Sequence, residues 1–140
     1  RAGYCFTDNP EVANTFKGDS GKLMAAKLTL GALLNLDHGV PENIVHHFEE
    51  AGINDAWKYT PGSGGGRKPW QMFDGDYGVK AVRALKFAGY DSVTFNEDDT
   101  STGAAGRTYV VFDPSQIVVQ NKTDQQQFSE DEVVKNRVAI

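Results

Sequence analysis

Short runs of alternating apolar and polar residues, the mark of half-buried strands, are interleaved along this chain with runs of helical period. Residues 3 to 7 alternate loosely and predict a strand that feeds a helix start, with Asn9 as N-cap, Pro10 at the first helical position and Glu11 complementing the dipole. That helix is expected over residues 10 to 17, ending by Gly18. In residues 22 to 30 the alanines favour helix while the alternation Lys27-Leu28-Thr29-Leu30 favours strand, and the second half is read as strand. A cleaner helix is predicted over 41 to 51, opened by Pro41 and Glu42, striped by Ile44, Val45, Phe48 and Ala51 and stopped at Gly52.

The tract Pro61-Gly62-Ser63-Gly64-Gly65-Gly66 is expected to be a loop or lid, because glycine loses the most conformational freedom on ordering. A second amphipathic helix follows over 76 to 88, with Val79, Val82, Leu85 and Ala88 inward and Gly89 at its end. Residues 91 to 96 set Val93 and Phe95 against Ser92, Thr94 and Asn96, the pattern of a strand with one wet face. A polar loop is expected over 97 to 106. Then comes Tyr109-Val110-Val111-Phe112-Asp113-Pro114-Ser115-Gln116-Ile117-Val118-Val119, which reads as a buried strand, a Pro-closed corner and a second short strand. After Asn121 the composition turns polar until Ser129-x-x-Glu132, a capping box that predicts a C-terminal helix carrying Val133, Val134 and Val138.

Composition narrows the function classes. At 140 residues, 39% hydrophobic and 24% charged, the chain has the size and make-up of one globular domain. Its net charge of −5 offers a phosphate backbone no general attraction, which argues against nucleic-acid binding and against a small nuclease with a basic cleft. Cys5 is the only cysteine, so an internal disulfide and a multi-thiolate metal site are excluded, in keeping with a reducing, cytoplasmic setting. No apolar run approaches the roughly 20 residues of a membrane span. The chain opens on Arg1, and it is expected to be a piece of something longer.

Two segments together suggest a chemistry. Gly3-Tyr4-Cys5-Phe6-Thr7-Asp8-Asn9-Pro10-Glu11-Val12-Ala13, with a helix reaching Phe16, and the Tyr109 to Val119 stretch resemble the conserved blocks of ADP-ribosyltransferases. The likeness is greatest to the small transferase-like domains of phage and mobile-element polyvalent proteins, related to the poly-ADP-ribose-polymerase catalytic fold. Gly89-Tyr90-Asp91-Ser92-Val93 resembles the Gly-Tyr-Asp-Gly-Val element that precedes the last block in those domains. The resemblance covers residues 3 to 16 and about 81 to 119, and its weight lies in the order and spacing of the segments.

The resemblance implies an α+β fold of two small antiparallel sheets packed with short helices around an NAD cleft, spanning 1 to 121, with 122 to 140 as a polar linker and C-terminal helix. It implies NAD as substrate, no metal, and an acceptor protein or other macromolecule as target, with delivery into a bacterial host cell as one setting. By position, Gly3, Tyr4, Cys5, Phe16 and Tyr109 fall on the NAD-binding blocks. Cys5 and Phe16 fall on the two rings that sandwich nicotinamide in the family, and a slip of one residue places Tyr4 on the first. Thr108 stands at the family's catalytic Glu, where a hydroxyl can bond a ribose but cannot carry negative charge. Glu97, Asp98 and Asp99 would replace that charge only if their loop folded over the cleft. The family's first block, a strand bearing His or Arg, would precede residue 3, and a catalytically degenerate module is the alternative the departures suggest.

Other motifs are weaker. His46-His47-x-Glu49-Glu50 lacks the four-residue spacing of a zinc-protease helix and reads as exposed helix surface. Gly64-Gly65-Gly66-Arg67-Lys68 is followed by Pro69-Trp70 and not by the helix a phosphate-binding loop requires.

Overall fold

A computed structural model describes residues 2–10, 13, 24–60, 69–73, 75–99, 104–120 and 133–135. Among these are seven strands: β1 Tyr4–Thr7, β2 Met24–Leu28, β3 Leu33–Asn35, β4 Ser92–Asp99, β5 Ala104–Val111, β6 Ile117–Gln120 and β7 Val133–Lys135. Two helices accompany them, α1 Val45–Glu50 and α2 Tyr77–Phe87, together with short 3-10 turns at Glu42–Ile44, Ala56–Tyr59, Pro69–Phe73 and Pro114–Gln116. The fold is α+β.

The strands form one hydrogen-bonded sheet in the order β3-β4-β5-β1-β7-β2-β6, antiparallel except for β3 beside β4. Its two halves, β3-β4-β5-β1 and β7-β2-β6, meet in register only at Thr7 opposite Val134. The sheet therefore behaves as two small sheets sharing a seam. The seam belongs to the segment expected to be a C-terminal helix: valines at 133 and 134 suit a strand, and the pairing with Met24, Ala25, Ala26 and Thr7 holds them there. The capping box at 129 to 132 lies outside the described residues.

Register assigns side chains to faces, since paired residues share a face and neighbours along a strand alternate. Cys5, Val93, Phe95 and Val110 face the helices and join Phe48, Phe73, Ala81, Ala84 and Leu85 in the larger core. Phe48, Phe73 and Phe95 are fully buried, each side chain worth about 1.5–3 kcal/mol of apolar transfer. On the opposite face Phe6 and Val111, with half-buried Tyr4 and Tyr109, pack against Ala26 and Leu28 of β2 and Ile117 of β6. The second half-sheet thus supplies the smaller core. The expected stripe on α1 is found, with Ile44 and Phe48 buried and Val45 and Ala51 packed at the margin.

Close approach explains two glycines. Gly3 has φ +76°, and a Cβ there would stand 2.5 Å from Val110 Cγ1, so only glycine lets β1 begin against β5. A Cβ on Gly78 would stand 2.6 Å from both Ala2 Cβ and the Phe73 carbonyl oxygen, so α2 packs directly on the chain entering β1.

Other expectations change. Val79 is 66% exposed, because α2 turns Gly78, Ala81, Ala84 and Leu85 inward instead. Small residues win that face because the helix lies too close to its neighbours for a β-branched side chain at position 78. Residues 97 to 99 continue β4, paired with Gly106, Ala105 and Ala104, where a loop was expected. Backbone pairing across a long hairpin outweighs the low strand propensity of an acidic run. Ser92 and Thr94 are buried and not wet, with hydroxyls donating to Asp91 Oδ1 and the Thr108 carbonyl. The 61 to 68 tract, Phe16 and most of the 10 to 17 helix lie outside the described residues, although Ala13 N–H donates to Asn9 C=O as one helical turn requires.

The corner after β5 is held by one side chain. The Gln116 amide oxygen accepts from the N–H groups of Phe112 and Asp113 at 3.1 and 2.9 Å, while its nitrogen donates to the carbonyls of Thr29 and Asp91, both at 3.1 Å. Asp91 in turn accepts from Ala32 N–H. The segments after β2, before β3, before β4 and after β5 are thereby tied at one point. Replacing Gln116 with Leu keeps the bulk and removes these four hydrogen bonds, with the Phe112 N–H still able to donate to the Asp91 carbonyl at 3.3 Å, and is expected to lower unfolding free energy by about 2 kcal/mol in urea melts. A loss under about 1 kcal/mol would show that the groups find other partners.

Candidate functional site

The spatial expectation from the two family-like segments is met: β1 lies directly against β5, with Tyr4, Cys5, Phe6 and Thr7 opposite Val111, Val110, Tyr109 and Thr108. The same register divides the candidate residues between the two faces. Cys5 and Thr108 point to the helix side and are 7% and 3% exposed. Tyr4 and Tyr109 lie on the other face, half buried, in the smaller core shared with β2 and β6. Of the two choices for the first stacking ring, Tyr4 is the one that shares a face with Tyr109. Gly3 shapes the entry to β1, and Phe16 lies outside the described residues.

Thr108 is therefore closed from solvent at the position where the resemblance puts a catalytic carboxylate. The acidic run offers no lid to replace it, since Glu97, Asp98 and Asp99 are strand residues of β4.

The Tyr109 face carries a polar cluster at its far end that the sequence reading did not single out. Arg107, two residues before Tyr109 and hence on the same face, crosses β4 to reach the loop after β3. Its Nη2 donates to Asp37 Oδ2 at 2.7 Å and its Nη1 to Thr94 Oγ1 at 3.1 Å. Asp37 Oδ1 accepts from Asn96 N–H at 2.8 Å, and the Asp37 N–H donates to Asn35 Oδ1. On the other side Asp8 Oδ1 accepts from Arg107 N–H, tying the end of β1 to β5. The Arg107–Asp37 ion pair thus ties the loop after β3 to the middle of β4 and β5, and the Arg107 backbone adds the end of β1.

Burial pushes the Asp37 carboxyl up, but the hydrogen bond from Arg107, the Asn96 N–H and the nearby guanidinium charge outweigh it and hold the group below the usual carboxylate range. Local sequence gave little signal for this cluster. Asp37 sits in an unremarkable turn, and Arg107 falls between the loop expected over 97 to 106 and the strand expected from Tyr109, where the structure has continuous strand. Gln116 had a signal in Asp113-Pro114-Ser115-Gln116, where Asp113 accepts from Ser115 N–H and Gln116 returns the bond as a capping box does.

Elsewhere the chemistry is sparse. Among the described residues no group of three or more His, Cys, Asp or Glu side chains could hold a metal ion. The rings of His46 and His47 lie 4.0 Å apart on α1, tilted by 38°, with His46 exposed. No described helix is long and apolar enough to cross a membrane. No family model, curated protein or solved structure matches the chain.

Because the folded-state pKa of Asp37 is depressed, the stability it contributes is present above its unfolded pKa near 4 and is lost as pH falls through the lower folded value. Asp37→Asn is expected to cost about 1 kcal/mol at neutral pH, the scale of a partly exposed ion pair, with the gap to the parent closing at acid pH. Melts of both proteins across that range check it, and a gap independent of pH would assign the effect to geometry and not to charge.

Proposed function

We propose that the chain is an ADP-ribosyltransferase-like domain that binds NAD and transfers ADP-ribose to a macromolecular target. The reading rests on sequence resemblance, and the observation that supports it best is the antiparallel register of β1 on β5. Two segments 100 residues apart in sequence, each resembling a family block, form adjacent strands with Tyr4 and Tyr109 on one face. A helical turn from Asn9 follows β1, as the family's strand-then-helix block requires.

Cleaving the bond between nicotinamide and ribose develops positive charge on the sugar, so the site needs a stacking ring, a ribose anchor and negative charge near the cation. On this reading Tyr4 and Tyr109 offer the aromatic surface. Asn96 and Arg107 offer polar groups on the same face, with buried Thr94 bonded beneath Arg107. The chain acts in a cytoplasm, its own or that of a bacterial host, and its acceptor is a protein or another macromolecule.

One observation favours a second reading, a catalytically degenerate transferase-like module that serves as a structural or binding part of a larger protein. Thr108 carries no charge and is buried, and the Asp37 carboxylate on the Tyr109 face is already engaged by Arg107. A single pair of measurements separates the readings. NAD at about 100 times its Kd should add about 2.7 kcal/mol to stability and so raise the melting temperature, with Tyr4→Ala removing the shift. Release of nicotinamide from NAD by the same preparation then marks a transferase; a thermal shift without release marks the binding module. Absence of any shift at millimolar NAD overturns the transferase and leaves the module a structural part alone.

A further inference from the structure

The solvent side of α2 combines exposed apolar bulk with positive charge in a chain that is otherwise acidic. Val79 and Phe87 are 66% and 74% exposed. With the exposed Arg83 between them they stand at four-residue spacing, forming a stripe about 12 Å long on one side of the helix. Lys86 is exposed beside Phe87. Lys80 lies over Gly52 at the end of α1, where an added Cβ would be 3.4 Å from its Nζ. The helix holds three basic residues and no acidic one. Since it contributes +3 to a chain of −5, the remainder carries −8.

Burying Phe87 and Val79 has an evident driving force in apolar transfer, and neither supports the core beneath, which is made by Gly78, Ala81, Ala84 and Leu85. We infer that this face of α2 docks an acidic, amphipathic segment of another protein, its apolar side chains over Val79 and Phe87 and its carboxylates on Arg83, Lys80 and Lys86. Charge complementarity selects the partner. A short acidic segment meets chiefly the basic stripe, with Asp113 near Lys86 at its end, whereas a nucleic acid or an anionic membrane is an extended polyanion that would also meet the −8 of the remaining surface. An exposed aromatic flanked by arginine is also the composition enriched at interface centres. This inference stands independently of NAD binding.

The probe is a fluorescein-labelled peptide of about 16 residues with leucines at helical spacing and glutamates elsewhere, followed by anisotropy on the full chain. The same peptide with glutamine for glutamate, a DNA duplex, and vesicles of mixed zwitterionic and anionic lipid are the comparison ligands. Saturable binding of the acidic peptide is expected, weakened at least about 10-fold by Phe87→Ser and by Arg83→Glu separately, and weakened as salt rises from about 50 to about 500 mM. Both side chains face solvent, so circular-dichroism melts and the NAD response of the variants should equal the parent's. No saturable binding, equal binding of the glutamine peptide, an unchanged Phe87→Ser variant, or tighter binding to DNA or vesicles would each overturn the assignment.

Discussion

A single buried amide fixes the geometry on which this fold depends. Gln116 satisfies both lone pairs of its oxygen and both protons of its nitrogen with backbone groups from three separate stretches of chain, around Thr29, Asp91 and Phe112. Each of those stretches leaves a strand or enters one, where regular pairing stops; the Phe112 N–H donates to the Asp91 carbonyl at 3.3 Å, and Gln116 adds a side-chain partner to both groups and to their neighbours. A side-chain amide is suited to the task because it carries donors and acceptors at once. By fixing where β5 stops and β6 starts, it sets how the β7-β2-β6 half lies against the other half.

That relation explains why the two faces of β1 and β5 differ. One face is closed by α1 and α2, with Cys5, Thr108 and Val110 inside. The other is covered by the second half-sheet through Ala26, Leu28 and Ile117, which leaves Tyr4 and Tyr109 partly open and the Arg107–Asp37 pair at the margin. Functional chemistry requires access, so the Tyr109 face is where a ligand reading has to be placed. The helix side is interior.

The polar clusters at the two ends of the sheet do different kinds of work. Gln116 and Asp91 bond backbone to side chain in a largely dry setting, where an unmet group is expensive. Asp37 and Arg107 form a charged pair that keeps about a fifth to a quarter of its side-chain surface in water, so its value lies more in aligning the loop after β3 with β4 and β5 than in raw energy. The −5 chain keeps its other conspicuous positive charge on α2, away from both clusters.

The local pattern by itself determined the strand at residues 4 to 7, the helix ending at Gly52, the helix ending at Gly89, and the strand, corner and strand from Tyr109 to Val119. In each of these, hydrophobic period and terminating residues agree, and the information lies within a dozen neighbouring positions. The adjacency of the first and last of these elements was expected from the family resemblance, and the β1–β5 pairing is where the tertiary structure shows it. Tertiary structure decided what depends on partners distant in sequence. Val133 and Val134 become a strand because β2 and Thr7 offer a ladder, Val79 turns outward because Gly78 must meet Ala2, and Glu97 to Asp99 extend a hairpin because Ala104 to Gly106 lie opposite. The face on which each candidate side chain falls was likewise a matter of register. A shift of one residue exchanges Cys5 for Tyr4, and only pairing with β5 sets it.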